Sequence, residues 1–220
     1  DISLPKTIYG HGWILSNDEK MSKSKGNILD PLEIIDIYGL DPLRFYLLKE
    51  VSFGNDGNIS KEKLENCINS DLANNYGNLC QRVISFTEKN FDLNIPDKIN
   101  LMDQDKLILG KFNKNFDILI NSIDKQDINF YVKFLMETLF SSNKYFNDEA
   151  PWNKKDDKTR LNTIIYVSLE LIRRISIIIY PIMPKSSLNA LKIFNIKENE
   201  IDFKSIKDNN FLKNIKKINK

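Results

Sequence analysis

Lys20-Met21-Ser22-Lys23-Ser24-Lys25 packs three lysines and two serines into six residues, and Gly26 follows. Ammonium groups on flexible stems are mobile point charges that can follow negative charge as it develops on a triphosphate. Serine hydroxyls can donate to phosphate oxygens, and Gly26 supplies a backbone hinge. The residue types suit a phosphate-handling loop, though composition by itself favours a solvated charge run. A second group lies downstream. Asn78 and Arg82 are four apart and share one face of a helix. An amide offers a donor and an acceptor to a base edge, and a guanidinium can pair with a base or phosphate or stack on a ring, but by themselves two such residues more often make a solvated helix edge. Trp152 follows Pro151, whose fixed φ holds the ring at a helix end. Such a ring either stacks on an unstacked base of a single-stranded loop or plugs a core.

Metal and disulfide chemistry find little support. The only histidine is His11, and the two cysteines, Cys67 and Cys80, are 13 residues apart in what reads as one helix. At about 100° per residue their side chains point roughly 140° apart, so they read as separate small hydrophobes in a reducing cytoplasm, and no zinc site is expected in this chain. The net charge is +2, so a nucleic-acid partner has to be held by local contacts and not by a global field. The run Ile164 to Met183 is apolar enough to raise a membrane span, but Glu170, Arg173, Arg174 and Pro181 interrupt it. It reads as a buried core helix, with no membrane partner. The first residues, Asp1-Ile2-Ser3-Leu4-Pro5, carry neither Met nor a signal-peptide pattern and read as the middle of a longer chain.

The positioning elements follow from pattern. Thr7-Ile8-Tyr9 and Trp13-Ile14-Leu15 read as strands, Ser16-Asn17-Asp18 as a turn, and 20–27 as a loop. Asp30-Pro31 and Asp41-Pro42 each read as an N-cap acid with proline at the first helical position, starting helices over about 31–38 and 42–50, with Gly39 ending the first. Phe53 to Asn58 reads as turns. From Ser60 the chain is helical. Leu72, Tyr76, Leu79, Val83 and Phe86 form an apolar stripe beside a polar edge of Asp71, Asn75, Asn78, Arg82, Ser85 and Lys89. Further helices are expected over about 103–124, 128–147, 157–180 and 184–194. Pro96, Pro151, Pro181 and Pro184 punctuate this part of the chain. Long helices with short connections imply a mainly α protein, an α-helical bundle after a small α/β portion. The Lys- and Asn-rich tail from about Ile196 reads as poorly ordered or truncated.

Lys20-Met21-Ser22-Lys23-Ser24, continued by Lys25-Gly26-Asn27 and preceded by His11-Gly12-Trp13, resembles the KMSKS signature of class I aminoacyl-tRNA synthetases. Three further segments are similar to the methionyl members. They are Asp41-Pro42-Leu43-Arg44-Phe45-Tyr46-Leu47-Leu48, Asn78-Leu79-Cys80-Gln81-Arg82 and Asn147-Asp148-Glu149-Ala150-Pro151-Trp152. Phe53-Gly54-Asn55-Asp56-Gly57-Asn58-Ile59-Ser60 looks like one bacterial methionyl subgroup. The resemblance implies a Rossmann remnant followed by an anticodon-binding bundle. It implies a loop of Lys20, Met21, Ser22, Lys23 and Ser24 that binds ATP, with Lys23 on the phosphates and Lys20 helping, as the catalytic pair. It also implies an anticodon face of Asn78, Arg82, Pro151 and Trp152.

The implied activity is methionine–tRNA ligation with ATP and Mg²⁺, methionine and both the initiator and elongator methionine tRNAs, in the cytoplasm. The family's other signature, His-Ile-Gly-His, and its methionine pocket are absent here, so the chain alone is expected to be inactive. The expected division is 1–29 for the end of the nucleotide-binding domain, 30–60 for a stem-contact region, 61–195 for the bundle and 196–220 for the tail. A role for His11 stays open between a structural hydrogen bond and a contact with ATP. The rival readings are a stand-alone tRNA-binding module, against which the KMSKS loop counts, and another class I synthetase, which Trp152 disfavours.

Overall fold

In the computed structural model, which describes residues 2–219, Asn17 and Asp18 both adopt positive φ, 51° and 62°. A two-residue turn of that kind has the twist that joins adjacent antiparallel strands, and here it folds β1 (Ile14–Ser16) onto β2 (Glu19–Lys20). β3 (Gly57–Ile59) lies parallel on the other edge of β1, giving the order β2-β1-β3. Asn58 and Asp18 exchange hydrogen bonds across the sheet, at 2.6 Å and 3.1 Å, and pin the turn that precedes the loop. Gly12 is required at the sheet's entry, because a Cβ there would lie 2.1 Å from the Asn55 backbone. Thr7-Ile8-Tyr9 does not form the expected strand. These residues are exposed and adopt no regular structure.

Two short helices follow, α1 (Pro31–Tyr38) and α2 (Leu40–Glu50). Asp30 caps α1 as expected, its Oδ1 accepting from the Leu32 N–H at 2.8 Å. Asp41 does not cap α2. Gly39, at φ 90°, lets the chain enter the helix two residues earlier, and Asp41 sits in the first turn with 6% of its surface exposed. Its carboxylate turns instead to the Ser186 N–H, at 2.6 Å.

Ser60 caps α3 (Lys61–Cys67), which runs without a break into a π-helical stretch, Ile68–Gly77, and on into α4 (Asn78–Phe91). Leu72, Tyr76, Leu79 and Val83 are buried as the stripe requires, and Phe86 is half-buried. The angle expected between Cys67 and Cys80 assumed unbroken α-helix, and the wider π turns change that phase. Both cysteines are free. Burial pushes each thiol up to about 12; Asp71 adds to this at Cys67, and a hydrogen bond with Tyr76 opposes it at Cys80.

α5 (Asp103–Asp124), α6 (Ile128–Glu149), α7 (Lys158–Ile179) and α8 (Pro184–Ile193) complete the bundle. α7 is its axis. Every residue from Thr163 to Ile179 is buried, and α4, α5, α6, α8 and the tail surround it. Among the described residues no helix is long and apolar enough to cross a membrane.

The charges in α7 lie inside this core. Glu170 accepts from Arg173 at 2.6 and 2.9 Å and from Arg174 at 2.6 Å, and all three side chains are fully buried. One carboxylate cannot satisfy two guanidiniums, so their remaining donors seek backbone. Arg173 reaches the Ser205 carbonyl at 2.9 Å. Arg174 reaches the Leu109 carbonyl of α5 at 3.1 Å and the Asn209 side chain at 2.8 Å. Arg173 also lies 4.2 Å from the ring centroid of Phe211. The tail is therefore packed and not frayed. Ile206, Leu212 and Ile218 are buried, and residues 216 and 218 bond to the 93–95 backbone. Among the described residues its lysines are exposed, while Ile206, Leu212 and Ile218 are buried and the Ser205 and Asp208 carbonyls meet the arginines, which composition alone does not reveal.

Glu170→Ala leaves two buried guanidiniums without their counter-charge. We expect it to cost about 3–5 kcal/mol, and to loosen the tail first. Urea unfolding with amide exchange over 203–218 checks both; a loss near zero with an unchanged tail would show that the backbone carbonyls suffice.

Candidate nucleotide loop and nucleic-acid face

The loop leaves β2 and is a single tight 3₁₀ turn, Lys23–Lys25, closed by Gly26 at φ 64°. Gly26 is thus the left-handed cap of that turn. Asn27 staples the loop's ends together. Its Oδ1 accepts from the Ser22 N–H at 2.8 Å and its Nδ2 donates to the Lys20 carbonyl at 3.3 Å. The hydroxyls of Ser22 and Ser24 are 2.8 Å apart, and Met21 is half-buried.

The three lysines are held differently. Lys20 lies over the Trp13 ring, 4.9 Å from its centroid. Lys25 pairs with Glu19 at 2.7 Å. Lys23 is exposed and has no partner among the described residues. An exposed cation–π contact is worth only about 0.5–1 kcal/mol and an exposed ion pair about 0–1 kcal/mol. Both tethers yield easily to a phosphate. His11 sits beside this module with Nδ1 2.9 Å from the Gly12 carbonyl. It lines an apolar cavity of about 250 Å³ with Leu47, Val51, Phe53 and Ile128 that contains none of the loop residues.

The second group assembles at the far end of α6. Arg82 of α4 donates to Asn147 Oδ1 at 2.6 Å. Its guanidinium lies 5.2 Å from the Phe146 ring and 5.9 Å from the Trp152 ring. Phe146 meets Trp152 edge-on, with centroids 6.0 Å apart. Trp152 keeps 43% of its surface exposed while Pro151 is buried. Exposure of that size does not fit a core plug. Asn78 lies one turn before Arg82, half-buried, with no hydrogen bond from its amide among the described residues. Arg82, Pro151 and Trp152 are thus brought together, with Asn78 adjacent on α4. The loop is elsewhere: from Ile128, at the cavity beside the sheet, to Asn147 is about 28 Å along α6 at 1.5 Å per residue.

Trp152 is presented by a polar network that residue patterns do not reveal. α6 ends on Ala150 in the left-handed region, φ 42°, which turns the chain into the 3₁₀ turn Pro151–Asn153. Behind that turn Arg160 grips Asp105 at 2.6 and 3.0 Å and Glu149 at 2.7 Å. Asp105 also accepts from Tyr145 at 2.6 Å and from the Met102 N–H at 2.8 Å. The ends of α5, α6 and α7 are tied at one point. A buried aspartate and arginine in otherwise amphipathic helices were the available signal, but their pairing across 55 residues is visible only in the fold.

A family model described as tRNA synthetases class I (M) matches residues 1–84. One described as the anticodon binding domain of methionyl tRNA ligase matches residues 95–217. The chain belongs to the methionyl-tRNA synthetase family. It is 35% identical over 93% of its length to a methionine–tRNA ligase of Brucella suis, and 37% identical over 92% to one of Rhizobium meliloti. It covers 40% and 39% of those proteins, so it spans about two fifths of their length. The structure of Mycobacterium tuberculosis methionyl-tRNA synthetase in complex with methionyl-adenylate superposes with a TM-score of 0.88 at 35% identity. The match covers 93% of this chain and 41% of that one.

Burial raises the Asp105 carboxyl, but the hydrogen bonds from Arg160, Tyr145 and Met102 outweigh it and hold the group below its ordinary value. A carboxyl depressed in the fold stabilises above its unfolded pKa, and that stability is lost as pH falls through the folded value. We expect stability to fall below about pH 4 with a contribution from Asp105. Asp105→Asn should be less stable at neutral pH and lose less on acidification; unfolding free energies from pH 6 to 3 that stay parallel for the two proteins would remove Asp105 from the acid response.

Proposed function

We propose that this chain supplies the pyrophosphate loop and the anticodon-reading face of a methionine–tRNA ligase. The observation that carries the reading is the cluster at the end of α6. A tryptophan is held half in solvent by a buried proline, flanked by a phenylalanine edge and by a guanidinium already engaged with an amide. Aromatic platforms beside adaptable donors are how proteins hold splayed bases of RNA loops. The substrates are ATP as its magnesium complex, methionine, and the initiator and elongator methionine tRNAs. Residues 1–29 complete the nucleotide-binding domain, 30–60 bridge toward the tRNA stem, 61–195 read the anticodon, and 196–220 close the bundle. Free thiols fit a reducing cytoplasm.

In the activation step the methionine carboxylate attacks the α-phosphate and pyrophosphate leaves. Lys23, with no partner to give up, meets the charge growing on the leaving group, and Lys20 joins by leaving Trp13. The Ser22 and Ser24 hydroxyls donate to phosphate oxygens once they part from each other. Asn27 keeps the loop's ends together while its middle moves.

Lys23→Ala in a full-length enzyme carrying this segment should slow methionine-dependent ATP–pyrophosphate exchange by about 10²–10³-fold, with a much smaller change in ATP KM. A raised KM at unchanged kcat would show uniform binding instead.

Trp152→Ala should leave that exchange near normal and lower kcat/KM for the methionine tRNAs by roughly ten- to a hundred-fold, the worth of one base stack at about 1–3 kcal/mol. Its melting temperature should fall little, because the ring is partly exposed. Intact tRNA discrimination in a protein that melts many degrees lower would make Trp152 a packing residue and sink the anticodon assignment.

A further inference from the structure

Three charged side chains of α2 leave that helix for three parts of the bundle. Asp41 accepts from the Ser186 N–H at 2.6 Å. That N–H lies in the first turn of α8, and Met183, the residue preceding the helix, offers it no side-chain cap. The start of α8 is therefore capped by a carboxylate 145 residues away. Arg44 donates through Nε and Nη2 to the carbonyls of Ile182 and Pro181, at 2.7 Å each, at the corner where α7 ends. Lys49 pairs with Asp71 of the π-helical stretch at 2.9 Å. Leu43, Phe45 and Tyr46 are buried between these ties.

We propose that Asp41 and Arg44 are positioning residues that lock α2 to the α7–α8 corner and so fix the nucleotide loop relative to the anticodon face when a whole tRNA spans both. The inference rests on the reading under Proposed function. α2 packs on β3, β3 pairs with β1, and β1 leads through the hairpin into the loop. On the other side α2 packs on α6, whose far end carries Asn147. Play in this joint is magnified by length. A tilt of about 5° at one end of a ~28 Å rod displaces the other by about 2–3 Å. Displacements near 1 Å can cost about a hundredfold in rate when reacting groups must meet in one geometry. Neither adenylate formation nor stem-loop binding alone feels the joint. Adenylate formation needs the loop but no anticodon, and an isolated anticodon stem-loop needs the bundle face but no loop.

The test uses a full-length enzyme of the family carrying this segment, with Arg44→Ala, Arg44→Lys and Asp41→Asn. Three quantities are measured: methionine-dependent ATP–pyrophosphate exchange, Kd for the isolated anticodon stem-loop, and aminoacylation of whole methionine tRNA. For Arg44→Ala we expect aminoacylation kcat/KM to fall by about tenfold or more, while exchange and stem-loop Kd stay within about twofold. Arg44→Lys, able to reach one carbonyl but not hold two in a planar fork, should recover part of the loss. Asp41→Asn, which keeps an acceptor but no charge, should fall in the same direction by less.

Unchanged aminoacylation in Arg44→Ala overturns the proposal. So does a parallel fall of all three quantities with the melting temperature, which marks a packing role. If Arg44→Ala does not fold, Arg44→Lys and Asp41→Asn decide by the same comparison. Trp152→Ala is run beside them. Should it keep full stem-loop affinity, the anticodon reading fails by itself, and the joint is still judged by aminoacylation against exchange.

Discussion

The bundle depends on how one carboxylate and two guanidiniums are accommodated inside α7. Moving charges out of water is costly, and a buried group left unpaired costs more than the pair contributes. Glu170 holds Arg173 and Arg174 together, but a positive charge remains in the core. It is spread over backbone and side-chain oxygens of α5 and the tail, and over the Phe211 and Phe112 rings. The consequence is structural. The chain after α8 must return along α7 to supply those oxygens, and its 3₁₀ turns place the Ser205 carbonyl and the Asn209 amide where arginine donors end. The polar centre thus dictates the course of a segment whose own composition is that of a solvated tail.

The two candidate sites are held with opposite firmness. The loop is secured by contacts that are weak in water: a cation–π contact, an exposed ion pair and an asparagine staple. The face at the end of α6 is secured by the buried Asp105–Arg160–Glu149 network and a buried proline. A group that follows charge as a bond breaks has to move. A platform that holds a base while its neighbours discriminate has to stay in place, because discrimination depends on geometry the wrong ligand cannot meet. On the proposed roles, buried polar groups stand where rigidity is needed and surface contacts where motion is needed.

Much of this was legible beforehand. Periodicity, caps and prolines located the helices to within about two residues, and the lack of apolar periodicity marked the segment that forms the turn at Lys23–Lys25. What escaped was long-range. Asp41-Pro42 has the local form of an N-cap, yet its carboxylate caps α8, and no local pattern records a partner 145 positions away. The π-helical stretch did leave a trace. Leu64, Ile68, Leu72 and Tyr76 recur every four residues, and each such step overshoots an α-helix by about 40°. Three steps would carry the stripe about 120° around an α-helix, off the core. Wider turns keep Leu64, Leu72 and Tyr76 buried. The tail misled because lysine and asparagine dominate it, while the anchoring falls to a few buried residues such as Ile206, Leu212 and Ile218 and to the oxygens that meet Arg173 and Arg174.

The cluster at the end of α6, taken as the proposed anticodon face, separates affinity from specificity. Arg82 and Asn147 satisfy each other at 2.6 Å in the free protein. On the proposed reading, a base that binds there must either leave that bond intact or replace it. A base with complementary edges returns what it displaces, while a mismatched one breaks the bond and leaves a desolvated donor or acceptor without a partner. A partner lost in that way costs about 1–3 kcal/mol per group, more where the group is charged. Stacking on Trp152 is indifferent to base identity, since every base has a π-face. Affinity and selectivity thus fall to different residues of one cluster. On that reading the tryptophan holds whatever base is presented, and the arginine–asparagine pair, with the unengaged amide of Asn78 one turn away, decides whether it stays.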